Sequence, residues 1–167
     1  MENNTLTKTL TILKTALTTS AFAAVINTVL FLLASTLGFL PKSTPTVGMN
    51  VSNPWVDVLF GTFFTVLLIG GIGSVIASFV FKKNAPTVIF VAAMLICLVS
   101  FFIPFTNSNL TNLTSTETFN FVAVYNLLHA VAAAIAAPTL AAVASVKNLQ
   151  LVTNQTKENN QNTSKKK

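Results

Sequence analysis

Four apolar blocks, at residues 16–40, 54–81, 86–105 and 119–146, constrain this chain more than any motif does. Each is long enough to cross a hydrocarbon core of about 30 Å as a helix. Lipid offers no partner to backbone N–H and C=O groups, so a spanning segment must satisfy them internally, as a helix does. Hydrophobic residues make up 52% of the chain and charged residues only 8%. A soluble domain carries roughly 25% charged residues to cover its surface, and this chain has too few. The pattern predicts an all-α fold, a four-helix up-down bundle integral to a membrane. It argues against a soluble enzyme, a disordered chain and a disulfide-rich secreted domain.

The segments between the blocks read as tails and turns. Residues 1–15 are polar and read as an N-terminal tail. Pro41, Pro45 and Gly48 among Ser, Thr and Asn mark a loop over 41–53. Ser52 or Asn53 suits the cap of the second block, Pro54 its first turn, and Trp55 the membrane interface. Lys82-Lys83-Asn84 is short enough to make the second and third spans an antiparallel hairpin, with Asn84 as a cap and Pro86 tolerated in the first turn. Residues 106–118 are mostly Asn, Thr and Ser, and 147–167 are predicted to be a disordered tail. A signal peptide is the competing reading of the first block. Its apolar region would be shorter, and Gly38-Phe39-Leu40-Pro41 is a poor cleavage site.

The ten basic residues are all lysines. In a four-span topology Lys8, Lys14, Lys82, Lys83, Lys147, Lys157, Lys165, Lys166 and Lys167 share one side, and Lys42 alone lies on the other. The positive-inside rule then predicts a multi-pass protein of the plasma (inner) membrane with both termini cytoplasmic. The net charge of +6 follows from topology, not from a basic face, so no nucleic-acid partner is expected. The terminal lysines read as a solubilising tail. Asn50, Asn109 and Asn112 begin Asn-x-Ser/Thr triplets that matter only in a eukaryotic secretory pathway. Cys97 is the single cysteine; it excludes an intramolecular disulfide, a CxxC pair and a thiolate cluster, and reads as an apolar filler.

Within the blocks, polar and small residues carry the remaining information. No Asp, Glu or Lys lies deep in a span, Asp57 being near the start of the second. Proton-coupled pumps place a titrating group in the bilayer, so this reading disfavours a drug/proton antiporter and metal transport by carboxylates. Gly70, Gly71, Gly73, Ser74, Ala77 and Ser78 place small side chains on a face of the second span, where a partner backbone can approach closely. Asn126 and His129 are three apart and share a helix face in the fourth span, and Asn27 sits mid-span in the first. Such side chains are costly in hydrocarbon unless paired, so all three are expected to point into the bundle, as interhelical hydrogen bonds or as a ligand site. No catalytic residue is assigned, since His129 has no visible acid or nucleophile partner, and a lone histidine falls short of the four ligands of structural zinc. Pro138 is expected to bend the fourth helix, with the surrounding alanines letting a neighbour pack into the bend.

Leu98-Val-Ser-Phe-Phe-Ile-Pro104 in the third span, and Leu128-His129 with Pro138 in the fourth, resemble the bacterial four-span membrane family catalogued as domain of unknown function 6069. The resemblance covers residues 16–146 and leaves out the tails. It implies a four-helix integral membrane protein and no known activity. The family's His and Pro map onto His129 and Pro138, without a catalytic role.

The function expected from these features is non-enzymatic: a small-ligand or lipid-binding module, or a subunit that meets a membrane partner protein or its own copies. A small transporter or permease component is the alternative, and a membrane enzyme centred on His129 the third reading. The cofactor is left open; haem and a lipid head group are among the ligands a His–Asn pair could take.

Overall fold

Helix α1 (Glu2–Thr36) runs unbroken through the first apolar block in the computed structural model of the protein, which describes residues 2–41, 53–106, 110 and 113–164. The loop residues Lys42, Pro45, Gly48 and Ser52, the triplets at Asn50, Asn109 and Asn112, and Lys165, Lys166 and Lys167 lie outside the described residues. Residues 2–15, read above as a tail, form the first turns of α1, and Ile12 is fully buried. Ile12 extends the inward stripe of Ala16, Ser20, Ala23, Asn27 and Phe31 by one more turn. The threonines beside it fit a helix because Thr9 and Thr11 donate their hydroxyls to the carbonyls of Thr5 and Thr7. Gly38, at φ 77°, ends α1. Phe39 N–H donates to Ala34 O at 2.9 Å and Gly38 N–H to Ser35 O at 3.1 Å, the paired bonds that a left-handed glycine permits.

The second span is composite. Helix α2 (Pro54–Phe64) passes into a π-helical stretch, Thr65–Ile72, and then into α3 (Gly73–Val80). A 3₁₀ turn over Lys82–Asn84 leads directly into α4 (Ala85–Ser100), giving the tight hairpin. Lys82 adopts φ 46° to make the reversal. Pro54 and Pro86 occupy first turns, but neither Asn53 nor Asn84 donates or accepts a side-chain capping bond. Another 3₁₀ turn, Ile103–Thr106, follows α4, and α5 (Ser115–Ser164) closes the bundle. Its start is a capping box: Thr114 N–H donates to Glu117 Oε2 at 2.9 Å, and Glu117 N–H to Thr114 Oγ1 at 3.3 Å. The helix continues through 147–164, a stretch whose composition suggested disorder. Once a helix is nucleated, each added residue needs only one more backbone bond.

The protein is a four-helix bundle, and no strand occurs among the described residues. Helix α5 packs on both α1 and α4, α1 on α2 and the π-helical stretch, and α3 on α4, so successive spans neighbour one another and the fourth meets the first. The four apolar stretches, Thr5–Thr36, Pro54–Val80, Lys82–Phe105 and Ser115–Ser145, have mean hydropathies of 1.9, 2.2, 2.8 and 1.9. Only 22% to 39% of each is buried inside the bundle, so most of their apolar surface faces outward. Water would penalise that surface and lipid would not; the chain is a multi-pass membrane protein.

The core has two parts. Phe31, Leu40, Val58, Phe121, Val122, Tyr125 and Leu128 pack at the end where α1 finishes and α2 and α5 begin. Ala16, Ala23, Val66, Ala77, Ala85, Ile89, Ala136, Leu140 and Ala144 pack toward the lysine hairpin. Small side chains bring helices close in the second part. A Cβ at Gly71 would lie 2.8 Å from the Ala16 methyl, and one at Gly70 would lie 3.0 Å from Leu140 Cδ1. Ser74, Ala77 and Ser78 are buried beside them. Gly73 departs from the expected packing face: it is exposed, and a Cβ there would meet nothing within 4 Å. It borders an apolar groove of about 310 Å³ between α3, α4 and α5. Pro138 is also exposed, pointing away from the core that Ala136, Ala137 and Leu140 enter. Cys97 is buried.

Candidate functional site

Between the two parts of the core lies a cavity of about 350 Å³, open on one side and lined by α1, α2, the start of the π-helical stretch, Ile103 and α5. Each element contributes through its own periodicity. Along α2 and into the π-helical stretch the lining residues recur about one turn apart: Asp57 and Val58, then Gly61 and Thr62, then Phe64, Thr65 and Val66. On α5 they are Tyr125, Leu128, His129 and Ala132, the i, i+3, i+4, i+7 stripe of one face. The π-helical geometry begins at Thr65, at the wall of the cavity. Such widened turns occur preferentially at functional sites.

Asn27 holds the three walls in place. It is 1% exposed, and its Nδ2 donates to Leu128 O on α5 at 2.9 Å and to Thr62 Oγ1 on α2 at 3.1 Å. The Leu128 carbonyl can only accept, so this contact fixes which end of the amide is nitrogen. Asn27 Oδ1 then has no hydrogen-bond partner among the described residues. Tyr125 is 5% exposed, its ring edge-on to Phe31 at 6.1 Å and tilted on Phe121 at 4.6 Å. Aromatic packing fixes the ring, yet Tyr125 Oη has no partner among the described residues, and neither has His129 Nδ1. Three polar atoms without protein partners therefore belong to side chains lining one cavity.

The structure brings Asn27 and His129 to this cavity and leaves Asn126 off its wall. An α-helix turns about 100° per residue, so Asn126 is a quarter-turn beyond Tyr125 and off the stripe that Tyr125 and His129 share. It is half-buried, and its Oδ1 lacks a partner among the described residues. Gly70, Gly73, Ser74, Ala77 and Pro138 lie elsewhere, in helix contacts or on the outer surface.

Asp57 lies in the first turn of the second span, as its place in the sequence indicated; the structure adds that it is 5% exposed and lines the cavity. The stripe it begins on α2 points inward from the first turn. Tyr125 was passed over because nothing in its neighbourhood forms a motif. One signal was available: the chain has a single Tyr and a single His, four residues apart on one helix. Among the described residues no three His, Cys, Asp or Glu side chains come together. The site sets a carboxyl group, an amide oxygen, a phenol and an imidazole against walls of Val58, Val66, Leu128 and Ala132, which suits a molecule with a polar head and an apolar body.

No protein-family model, curated protein or solved structure matches this chain.

Proposed function

We propose that the protein binds a small amphipathic molecule, free or as part of a lipid, in the cavity between α1, α2 and α5, without chemical conversion. The observation that carries this reading is that Asn27, Tyr125 and His129, each with a buried polar atom that has no partner among the described residues, line one cavity. Polar atoms inside a membrane bundle cost free energy unless something hydrogen-bonds them. A volume of about 350 Å³ is at the lower end of the roughly 300–1,000 Å³ found for small-molecule sites. The lysine distribution supports placement in a plasma membrane with both termini cytoplasmic. The four-span family resemblance belongs to the same proposal and brings no activity.

The test is to purify the full chain in mild detergent and identify what co-purifies by native mass spectrometry. His129→Gln and Tyr125→Phe should stay folded and lose the bound species, whereas Leu95→Ile on the outer surface should keep it. Equal occupancy in all of these proteins would remove the cavity as the site.

A transporter is the second reading, and Asp57 favours it. The argument against proton-coupled transport rested on having no acid deep in a span; Asp57, near the start of the second, is buried inside the bundle. Reconstituted liposomes that acidify on addition of a candidate substrate, and fail to with Asp57→Asn, would select transport over binding.

A further inference from the structure

We infer that the groove between α3, α4 and α5 holds one anionic phospholipid, with an acyl chain in the groove and the headgroup phosphate on Lys82 and Lys83. This site shares no lining residue with the cavity between α1, α2 and α5.

Short side chains make the groove. Gly73 and Ala77 on α3, Ala92 and Ala93 on α4, and Ala136 and Ala137 on α5 line it, and a Cβ at Gly73 would meet nothing within 4 Å. Ile69, Ile76, Phe81 and Ile96 line the same space and are exposed on the outer surface of the spans. Ser74 is the one polar side chain among the lining residues, so an apolar body fits there. On α4 the lining runs from Val88 to Ile96, about 12 Å by the helical rise. A volume of about 310 Å³ over that length is a furrow much narrower than a helix, which is about 10–12 Å across with its side chains. That shape admits a hydrocarbon chain and turns away a further spanning helix.

Charge marks the end where the head lies. Phe81 lines the groove, and Lys82 and Lys83 follow it directly on the 3₁₀ turn. Both lysines are exposed, and neither ammonium group has an ion pair or hydrogen bond among the described residues. Helix α4 starts at Ala85 and adds the positive end of its dipole to the same place. Asp57 and Glu117 sit in the first turns of α2 and α5, at the other end of the bundle. Lysines at a span end lay their stems along apolar surface and hold their charge at headgroup level. There they attract a head with net negative charge, whereas the trimethylammonium of phosphatidylcholine would meet like charge.

The experiment embeds the full chain in nanodiscs of equal parts phosphatidylcholine and phosphatidylglycerol and reads by native mass spectrometry which lipids stay on the protein. Phosphatidylglycerol should be retained over phosphatidylcholine by at least about tenfold, as two lysines near the surface provide. Lys82→Gln combined with Lys83→Gln should erase that preference. Gly73→Leu puts a side chain into the groove from a position with open space around it and should remove the retained lipid. Ala92→Leu fills the groove from α4 should Gly73→Leu fail to fold. Lys14→Gln, at an exposed lysine on α1, should change nothing. Equal retention of the two lipids would overturn the proposal, and so would a preference that survives the double lysine variant. A preference that Lys14→Gln weakens as strongly would make the attraction diffuse, and one that survives groove filling would place the lipid elsewhere; either overturns the site. A lipid lost with His129→Gln and kept with Gly73→Leu belongs to the cavity, which overturns the groove and leaves the cavity reading standing. Dimers that Gly73→Leu dissociates would make a second copy the occupant and overturn the lipid.

Discussion

Asn27 on α1 donates its amide to the backbone carbonyl of Leu128 on α5 at 2.9 Å, a buried contact between residues 101 positions apart. The same nitrogen reaches Thr62 Oγ1 on α2, so one side chain ties three spans beside the cavity. Asn27→Ala should lower stability in detergent by about 0.6 to 2 kcal/mol, the range for interhelical hydrogen bonds in membranes. Thr62→Val removes only one of the two bonds and should cost less. Thermal melts followed by circular dichroism decide; an Asn27→Ala protein melting with the wild type would mean the tie contributes nothing.

The approach of Gly71 to Ala16 leaves no room for a side chain. Gly71→Leu should destabilise by about 1 to 3 kcal/mol through overpacking, and Ala16→Gly should restore part of the loss. Gly73→Leu should be close to neutral, within about 0.5 kcal/mol as for surface substitutions, because its Cβ would enter open space. Equal melting of the two leucine variants would contradict the assigned interface.

The capping box at α5 predicts non-additive mutations. Thr114→Ala should cost about 1 kcal/mol. Glu117→Ala removes the reciprocal bond, and the double variant should be less destabilised than the summed single effects, because both changes break one unit. Chemical denaturation in detergent measures all three; strict additivity would show that the two bonds act independently.

Orientation is testable with thiols. On a Cys97→Ala background, single cysteines at Ser43 and Asn84 should differ when an impermeant reagent meets intact cells. Position 43 should label and position 84 should not. The reverse pattern would invert the proposed topology.

The number of spans and the tight Lys82–Asn84 hairpin follow from local chemistry, because lipid demands long apolar helices and lysines stay outside the apolar blocks. The Thr114-x-x-Glu117 box was missed in the polar 106–118 segment, although its two hydrogen bonds involve chain neighbours and its spacing is a local signal. Helical continuation into 2–15 was less visible: Ile12 alone marks the buried stripe there, and threonine-rich sequence resembles a tail until hydroxyl bonds to preceding carbonyls are seen.

Which face of each helix meets which neighbour was decided by tertiary packing. In a membrane span nearly every position is apolar, so the contrast between inner and outer faces that reveals a soluble helix is lost. Gly71 and Gly73 are indistinguishable in sequence, yet one touches Ala16 and the other faces outward, because they lie about 200° apart around the helix. Asp57 lies near the start of the second span, and only the meeting of α1, α2 and α5 makes it a cavity wall. For the same reason His129 shares that cavity with Tyr125 and Asn27 and not with Asn126. Spacing along one helix determines which side chains share a face, but the rotation of that helix against its neighbours determines which face surrounds the site.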